Sequence, residues 1–313
     1  MLVLAIDTST PTVTAGAVRV KRPHEMLAEL EAGAAAGAPP GDHASPPGDH
    51  ASLPARPVTV LAEHTVTDPF GHAEHLMPLA RAALAEAGAA IDQLEAVVVG
   101  IGPGPFTGLR VGMATAAALG DALDVPVHGV PSHDAVARRA AIDGEFLVVT
   151  DARRREVYLS AYAGPAARVS GPVVVPPAAV PDLLRSHDLR PGWVCGAGAG
   201  LVAGVLTLPV RQPSGPLSGF LVECALQPLL TGAVPGPLTP MYLRRPDATE
   251  PAPPKRVLGP GESAAPEIPV TAGESTSHGG STSHGGSTSH GGSTAPGGTA
   301  ASGGTAGSDG SAP

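Results

Sequence analysis

Three stretches of this 313-residue chain bring together side chains whose types and spacing invite chemistry. The first is Asp7-Thr8-Ser9, which follows an apolar run over 2–6. An acid beside two hydroxyls at a turn can orient a metal or a water, while the hydroxyls and backbone N–H groups face a phosphate. The same residues also make an Asx-type turn that closes a hairpin. The second is Gly100-Ile101-Gly102-Pro103-Gly104-Pro105-Phe106-Thr107-Gly108-Leu109-Arg110, between a run of valines and an alanine-rich segment. Its order is buried strand, turn and helix start, and a helix start offers unpaired N–H groups to an anion. The third is His72, with Glu74 and His75 close behind it.

Each meets a chemical objection. Gly102-x-Gly104 followed by Gly108 resembles a dinucleotide-binding turn, but Pro103 and Pro105 remove donors that a pyrophosphate needs. The motif also follows the fourth strand of the pattern, and no acid ends the next strand. The loop is therefore expected to be a rigid connector. Gly102, Gly104 and Gly108 shape its turn, Thr107 caps the helix, and Arg110 lies just beyond. A zinc-protease helix needs histidines at i and i+4 with a glutamate after the first; Ala73 and Leu76 stand at the last two of those positions. His43 and His50, in a tandem Pro-Pro-Gly-Asp-His-Ala-Ser repeat, have no third partner. No metal site is expected.

Hydrophobic periodicity gives the elements that position these residues. Residues 2–6 read as a buried strand, 12–20 as its hairpin partner and 57–66 as a third strand. Between them, 31–56 is rich in Ala, Gly and Pro and is read as a disordered insert. Over 72–87, Leu76, Leu79, Ala80, Ala83, Leu84 and Ala87 recur at the spacing of one helix face. Pro78 either kinks that helix or marks its start, and Gly88 closes it. A strand over 96–101, a helix over 109–123 and a strand over 125–130 follow. Three antiparallel strands and then alternating helix and strand describe a ribonuclease H-like unit, residues 1–131. A smaller second unit, 132–245, opens with a helix over 134–142 and a strand over 146–150 that ends at Asp151, with a hairpin partner over 156–163. Strand, aspartate and turn repeat the form of residues 2–7, which points to a duplicated fold. Gly196-Ala197-Gly198 is a further strand-to-glycine turn. Residues 246–313, with their Ser-Thr-Ser-His-Gly-Gly repeats, read as a disordered tail.

The helix over 109–123 carries Gly112, Ala116 and Gly120 at four-residue spacing, which lets another element approach closely. That element is either the chain's own sheet or a helix of a partner. In the second reading the stripe Leu76, Leu79 and Ala83 completes the face, with His72 and His75 at its end.

Composition excludes several classes. The net charge is −9, and beyond Arg256 the chain has acids but no Lys or Arg. This is not the footprint of a protein that grips nucleic acid alone. Two cysteines, Cys195 and Cys224, make neither a metal spacing nor a disulfide framework, and they fit a reducing, cytoplasmic setting. The N-terminus lacks a basic n-region and reads as a strand rather than a signal peptide. The longest apolar run, near 201–208, is too short for a membrane span.

Four strings together closely resemble the bacterial TsaB (YeaZ) family. They are Leu4-Ala5-Ile6-Asp7-Thr8-Ser9, His72 with Pro78, the segment from Gly100 to Gly112, and Asp151-Ala152-Arg153 with Glu156-Val157-Tyr158. The match is good over about 1–163, loose over 164–245 and absent from 31–56 and the tail. The resemblance implies an α/β fold of two ribonuclease H-like lobes, in the actin/sugar-kinase/heat-shock superfamily, with the second lobe reduced. It implies a part in making N6-threonylcarbamoyladenosine beside the anticodon of tRNAs that read codons beginning with A. There TsaD transfers the threonylcarbamoyl group, TsaB pairs with TsaD, and the ATPase TsaE assists. TsaD-type proteins carry a His-x-x-x-His metal pair, broken here by Leu76. The expectation is a non-catalytic subunit with no cofactor of its own. ATP and a metal ion belong to partner subunits, tRNA is reached only through the complex, and the free protein is a possible homodimer. Asp7, Thr8, Ser9 and Asp151 are then a degenerate nucleotide site. The competing expectation is an ATP-dependent kinase or ATPase of the same superfamily that uses Asp7 and Asp151.

Overall fold

The computed structural model describes residues 1–36 and 56–244. Strand β1 (Leu2–Asp7) hairpins into β2 (Thr12–Val20), which leads to helix α1 (Pro23–Ala36). Strand β3 (Val58–Thr67), helix α2 (His72–Glu86), β4 (Ala96–Gly100), α3 (Phe106–Leu123) and β5 (Val127–Val130) follow. They form a five-stranded sheet of order β3-β2-β1-β4-β5, in which β1 is antiparallel to β2 and parallel to β4.

The continuous apolar character of β1 and β4 has a direct cause: both faces of this sheet are covered. Leu4, Ile6, Val97 and Val99 pack under α2 and α3 with Leu76, Ala80, Ala83 and Met113. Val3, Ala5, Ala96 and Val98 face the other way and are covered from the far end of the chain by Leu221, Val222 and Leu229.

Helix α4 (Ser132–Ala140) leads to a second sheet made of β6 (Phe146–Arg153), β7 (Glu156–Gly164), β8 (Ala167–Val175) and, after α5 (Val180–Ser186), β9 (Trp193–Cys195). Its order, β8-β7-β6-β9, has the pairing of the first sheet's β3-β2-β1-β4: two antiparallel neighbours, then a parallel one. The duplication expected from the two strand-aspartate turns is the architecture of the molecule, with the second lobe one strand smaller. After the short α6 (Ala199–Val202), the chain crosses back. Helix α7 (Ser218–Cys224) lies on β1 and β2 and against α4, and α8 (Leu226–Thr231) follows it. The C-terminal part of 132–245 thus helps cover the first sheet.

Several boundaries differ from the sequence reading. Residues 31–36, expected in a disordered insert, continue α1; the remainder of that insert up to 55 and the tail from 245 lie outside the described residues, with the repeat histidines. Helix α2 runs through Pro78 and begins six residues before it, because this proline sits on the exposed side of the helix. Gly88, at φ +66°, closes α2 as expected, with Ala89 N–H donating to the Leu84 carbonyl. Helix α3 starts at Phe106, three residues earlier than the apolar pattern indicates, so Thr107 is inside the helix and exposed, and it caps nothing. Pro105 holds the cap position at φ −60°, and its carbonyl accepts the first helical bond from Leu109 N–H at 3.1 Å. A proline ring pre-sets that entry angle.

Candidate functional site

Asp7, Thr8, Ser9 and Thr10 occupy the turn that ends β1, and none is more than 4% exposed. Both oxygens of the Asp7 carboxylate accept from within the chain. Its Oδ1 accepts from Ser9 N–H at 2.8 Å and from Ser9 Oγ at 2.7 Å, and its Oδ2 accepts from Ser132 Oγ at 2.6 Å. Burial pushes the carboxyl above its ordinary range, while the bonds from Ser132 and Ser9 and the nearby His72 pull it back.

The glycine loop and the start of α3 pack directly against this turn. A Cβ at Gly100 would overlap Asp7 Oδ2, one at Gly104 the Ser9 carbonyl, and ones at Gly108 and Gly112 the Thr8 carbonyl and hydroxyl. Thr8 Oγ1 donates to the Gly108 carbonyl at 2.7 Å. Gly102, at φ +99°, takes a backbone conformation that other residues rarely adopt, and its carbonyl accepts from Ser132 N–H at 2.7 Å. The loop therefore serves close packing onto Asp7-Thr8-Ser9. The same holds in the second lobe, where Gly196 and Gly198 press against the backbone of Val149 and Thr150. Asp151 sits half-buried at the corresponding turn, and its Oδ1 accepts from Arg153 N–H at 2.7 Å.

The sequence reading missed two residues that join the lobes. Ser132 and His133 begin α4, each about 1% exposed. Ser132 binds Asp7 and Gly102 in the first lobe. His133 reaches into the second, with Nδ1 at 2.9 Å from Ser160 Oγ and Nε2 at 2.9 Å from Thr150 Oγ1. Burial, and then Arg168, push the His133 pKa down to about 3, so the ring is neutral and binds both hydroxyls without charge. The available signal was local: Pro131-Ser132-His133-Asp134, a helix start directly after a strand, at the point where the second unit begins.

The other residues singled out separate into two sets. His72 Nε2 lies 2.8 Å from the Thr10 carbonyl and fastens the turn to α2, whereas His75 Nε2 pairs with Asp68 at 3.0 Å. Backbone N–H of Phe70, and His75 after it, hold the Asp68 carboxyl below its usual range. Leu76, Ala83, Gly112, Ala116 and Gly120, expected at a partner interface, are buried against the chain's own sheet, and Gly120 meets Val127. Leu79 and His75 are half-buried at the edge. Arg110 lies over the Phe106 ring at 3.8 Å, and its Nε donates to Tyr242 Oη at 3.0 Å. Tyr158 Oη donates to the Gly104 carbonyl at 3.3 Å and ties the second lobe to the loop.

Two ribonuclease H-like lobes in a duplicated arrangement, joined at the turns that follow their first strands, define the class: the actin/sugar-kinase/heat-shock fold. Residues 69–181 match the family model described as TsaD, tRNA N6-adenosine threonylcarbamoyltransferase. An uncharacterized protein of Mycobacterium tuberculosis is 42% identical over 247 residues, 79% of this chain and 93% of that protein. The tRNA threonylcarbamoyladenosine biosynthesis protein TsaB of Bacillus subtilis is 34% identical over 105 residues, 33% of this chain and 46% of that protein. A crystal structure from Pseudomonas aeruginosa, of an uncharacterized protein with similarity to peptidase YEAZ, aligns with a TM-score of 0.51 at 25% identity, over 76% of this chain and 99% of that one. These matches together support a place for the chain in the TsaB (YeaZ) family. Among the described residues no helix is long and apolar enough to cross a membrane.

Proposed function

We propose that this chain is a non-catalytic partner of TsaD in the formation of N6-threonylcarbamoyladenosine next to the anticodon of tRNAs reading codons that begin with A. One observation carries the non-catalytic part. Asp7 is fully buried and both of its oxygens accept from the chain's own donors, which disfavours a kinase's use of this acid. The names borne by the relatives in Bacillus subtilis and Escherichia coli support the pathway. The match to a transferase model spans His72, but Leu76, where the resemblance implies a second metal histidine, is a core residue 1% exposed.

The surface offered to TsaD is the outward side of the two helices whose inner side the sequence had singled out. Ala82 and Ala85 on α2 and Ala114, Ala117, Ala118 and Ala122 on α3 are exposed, which gives small side chains over which another helix can pack closely. The same surface suits a homodimer when the protein is alone. TsaE and tRNA join through the complex, the ATP and metal ion reside in partner subunits, and the setting is the cytoplasm.

The test is co-elution of this chain with the TsaD of its own organism on size exclusion, with Ala118→Arg as the control. The complex should form with the natural chain and be lost in the variant, whose melting temperature should be unchanged. Deletion of the gene should lower the modified adenosine in tRNA nucleosides read by mass spectrometry; an unchanged level would remove the reading. Tight Mg-ATP binding by the isolated chain, lost in Asp7→Ala, would favour the kinase instead.

A further inference from the structure

A cavity lies away from the Asp7 turn, on the side where β5, the start of α4, the end of β7 and the segment after α7 meet. It encloses about 570 Å³, within the size of small-molecule sites. Its charged lining is Asp134, Arg138 and Arg168. Two guanidinium groups therefore face one carboxylate, and that carboxylate is engaged. Asp134 Oδ1 accepts from Tyr162 Oη at 2.8 Å and lies 3.6 Å from Arg168 Nε. The remaining titratable groups add no charge. Burial lowers the His128 pKa and keeps the ring neutral, and it pushes the Cys224 thiol up to about 11.

Arg138 reaches the Cys224 thiol, yet its Nε is buried and has no hydrogen-bond partner among the described residues. On its other side Arg138 borders a smaller cavity with Arg56 and Glu223, and neither supplies an acceptor to that nitrogen. That N–H is closed off from the cavity, so Arg138 gives the wall its positive charge rather than this donor. The rest of the wall is apolar and stiff, with Pro131, Pro165, Pro228, Pro235 and Pro237.

We infer that this cavity binds a small organic anion, a carboxylate or phosphate held between Arg138 and Arg168, whose apolar body rests on the proline wall. Tyr162, fixed by Asp134, and the neutral His128 ring offer polar atoms beside it. Planar guanidinium groups suit both anions, so the anion's identity is left to the experiment. The site is independent of the partnership with TsaD, and each reading stands or falls alone.

The test uses the full chain, with the Nε–Hε resonances of its arginines followed by ¹H–¹⁵N correlation spectra. Inorganic phosphate, benzoate and the uncharged benzamide are titrated separately. The Arg138 resonance, identified by its disappearance in Arg138→Gln, should shift and saturate with phosphate, with benzoate or with both, and should not respond to benzamide. The more exposed Arg168→Gln should weaken that binding by about tenfold, the loss of one charge-assisted contact, at an unchanged melting temperature. Saturation by phosphate alone or benzoate alone assigns the anion. Shifts that stay linear for both anions overturn the inference. So does benzamide binding as well as benzoate, or affinity unaltered in Arg168→Gln. If Arg138→Gln fails to fold, Arg168→Gln still decides the matter.

Discussion

Asp7, a candidate site acid in the sequence, is held in the fold by donors of the chain itself. Replacing it with alanine leaves Ser9 N–H, Ser9 Oγ and Ser132 Oγ without their acceptor, at a cost of about 3 kcal/mol. Asp7→Asn keeps the shape and one acceptor oxygen and should cost about 1 kcal/mol. Urea denaturation measures both, and any fall in tRNA modification should follow the folded fraction. His133 gives a prediction in pH. Its folded pKa of about 3 lies below the unfolded value near 6.5, so only the unfolded state takes up a proton between them. The stability associated with the neutral ring is complete above about 6.5 and declines as pH falls toward 3. His133→Gln keeps polar contacts to the two hydroxyls without titrating. Its stability should fall less steeply than that of the natural chain between pH 6.5 and 4, as read by chemical denaturation at each pH.

At the scale of elements, the glycines of α3 and its loop let a strand turn and a helix lie in contact. Gly112→Ala should drive its new Cβ into the Thr8 hydroxyl, and Gly100→Ala into the Asp7 carboxylate. Each should lower stability by about 2 kcal/mol or more. Gly204→Ala, with nothing near the new carbon and no positive φ, should leave the melting temperature within about a degree. Thermal melts of the three variants check this. Strands β1 to β7 and helices α2 to α4 were legible because β1, β4 and β6 open on apolar runs and α2 has a clear apolar face. By contrast α1, β8, α5, α7 and α8 were not, their patterns being weak or broken by proline. The start of α3 was misplaced because its first turn, Phe106-Thr107-Gly108, is set by Pro105 and by packing on the Thr8 turn rather than by apolar periodicity.

At the scale of the molecule, the first lobe depends on the end of the chain. Helix α7 covers Val3, Ala5, Val18 and Val98, and it is anchored where Glu63 Oε1 accepts from Ser218 N–H and Oγ, both at 2.5 Å. Ser218 fits against Gly16, where a side chain would collide with it. Truncation after Gly215 should bare that face of the sheet and yield more aggregated protein than the full chain does; centrifugation followed by hydrogen exchange of β1 reads the outcome. Glu63→Ala should act in the same direction more weakly, raising exchange in α7 first.

The sequence by itself determined the duplication, the resemblance to a family and the order of β1 to β7 with α2 to α4, because these are written in local apolar runs and in one long, specific string from Gly100 to Gly112. It could not tell a ligand-binding turn from a packed one. Asp7, Thr8 and the glycines have the same types and spacing in either case, and only the tertiary structure showed them enclosed by Ser132 and by the start of α3. Nor could it choose which side of α2 and α3 faces outward: leucines, alanines and glycines at helical spacing suit the chain's own sheet as well as a partner. The tertiary structure placed the sheet on that stripe and left the opposite, alanine-rich side to solvent.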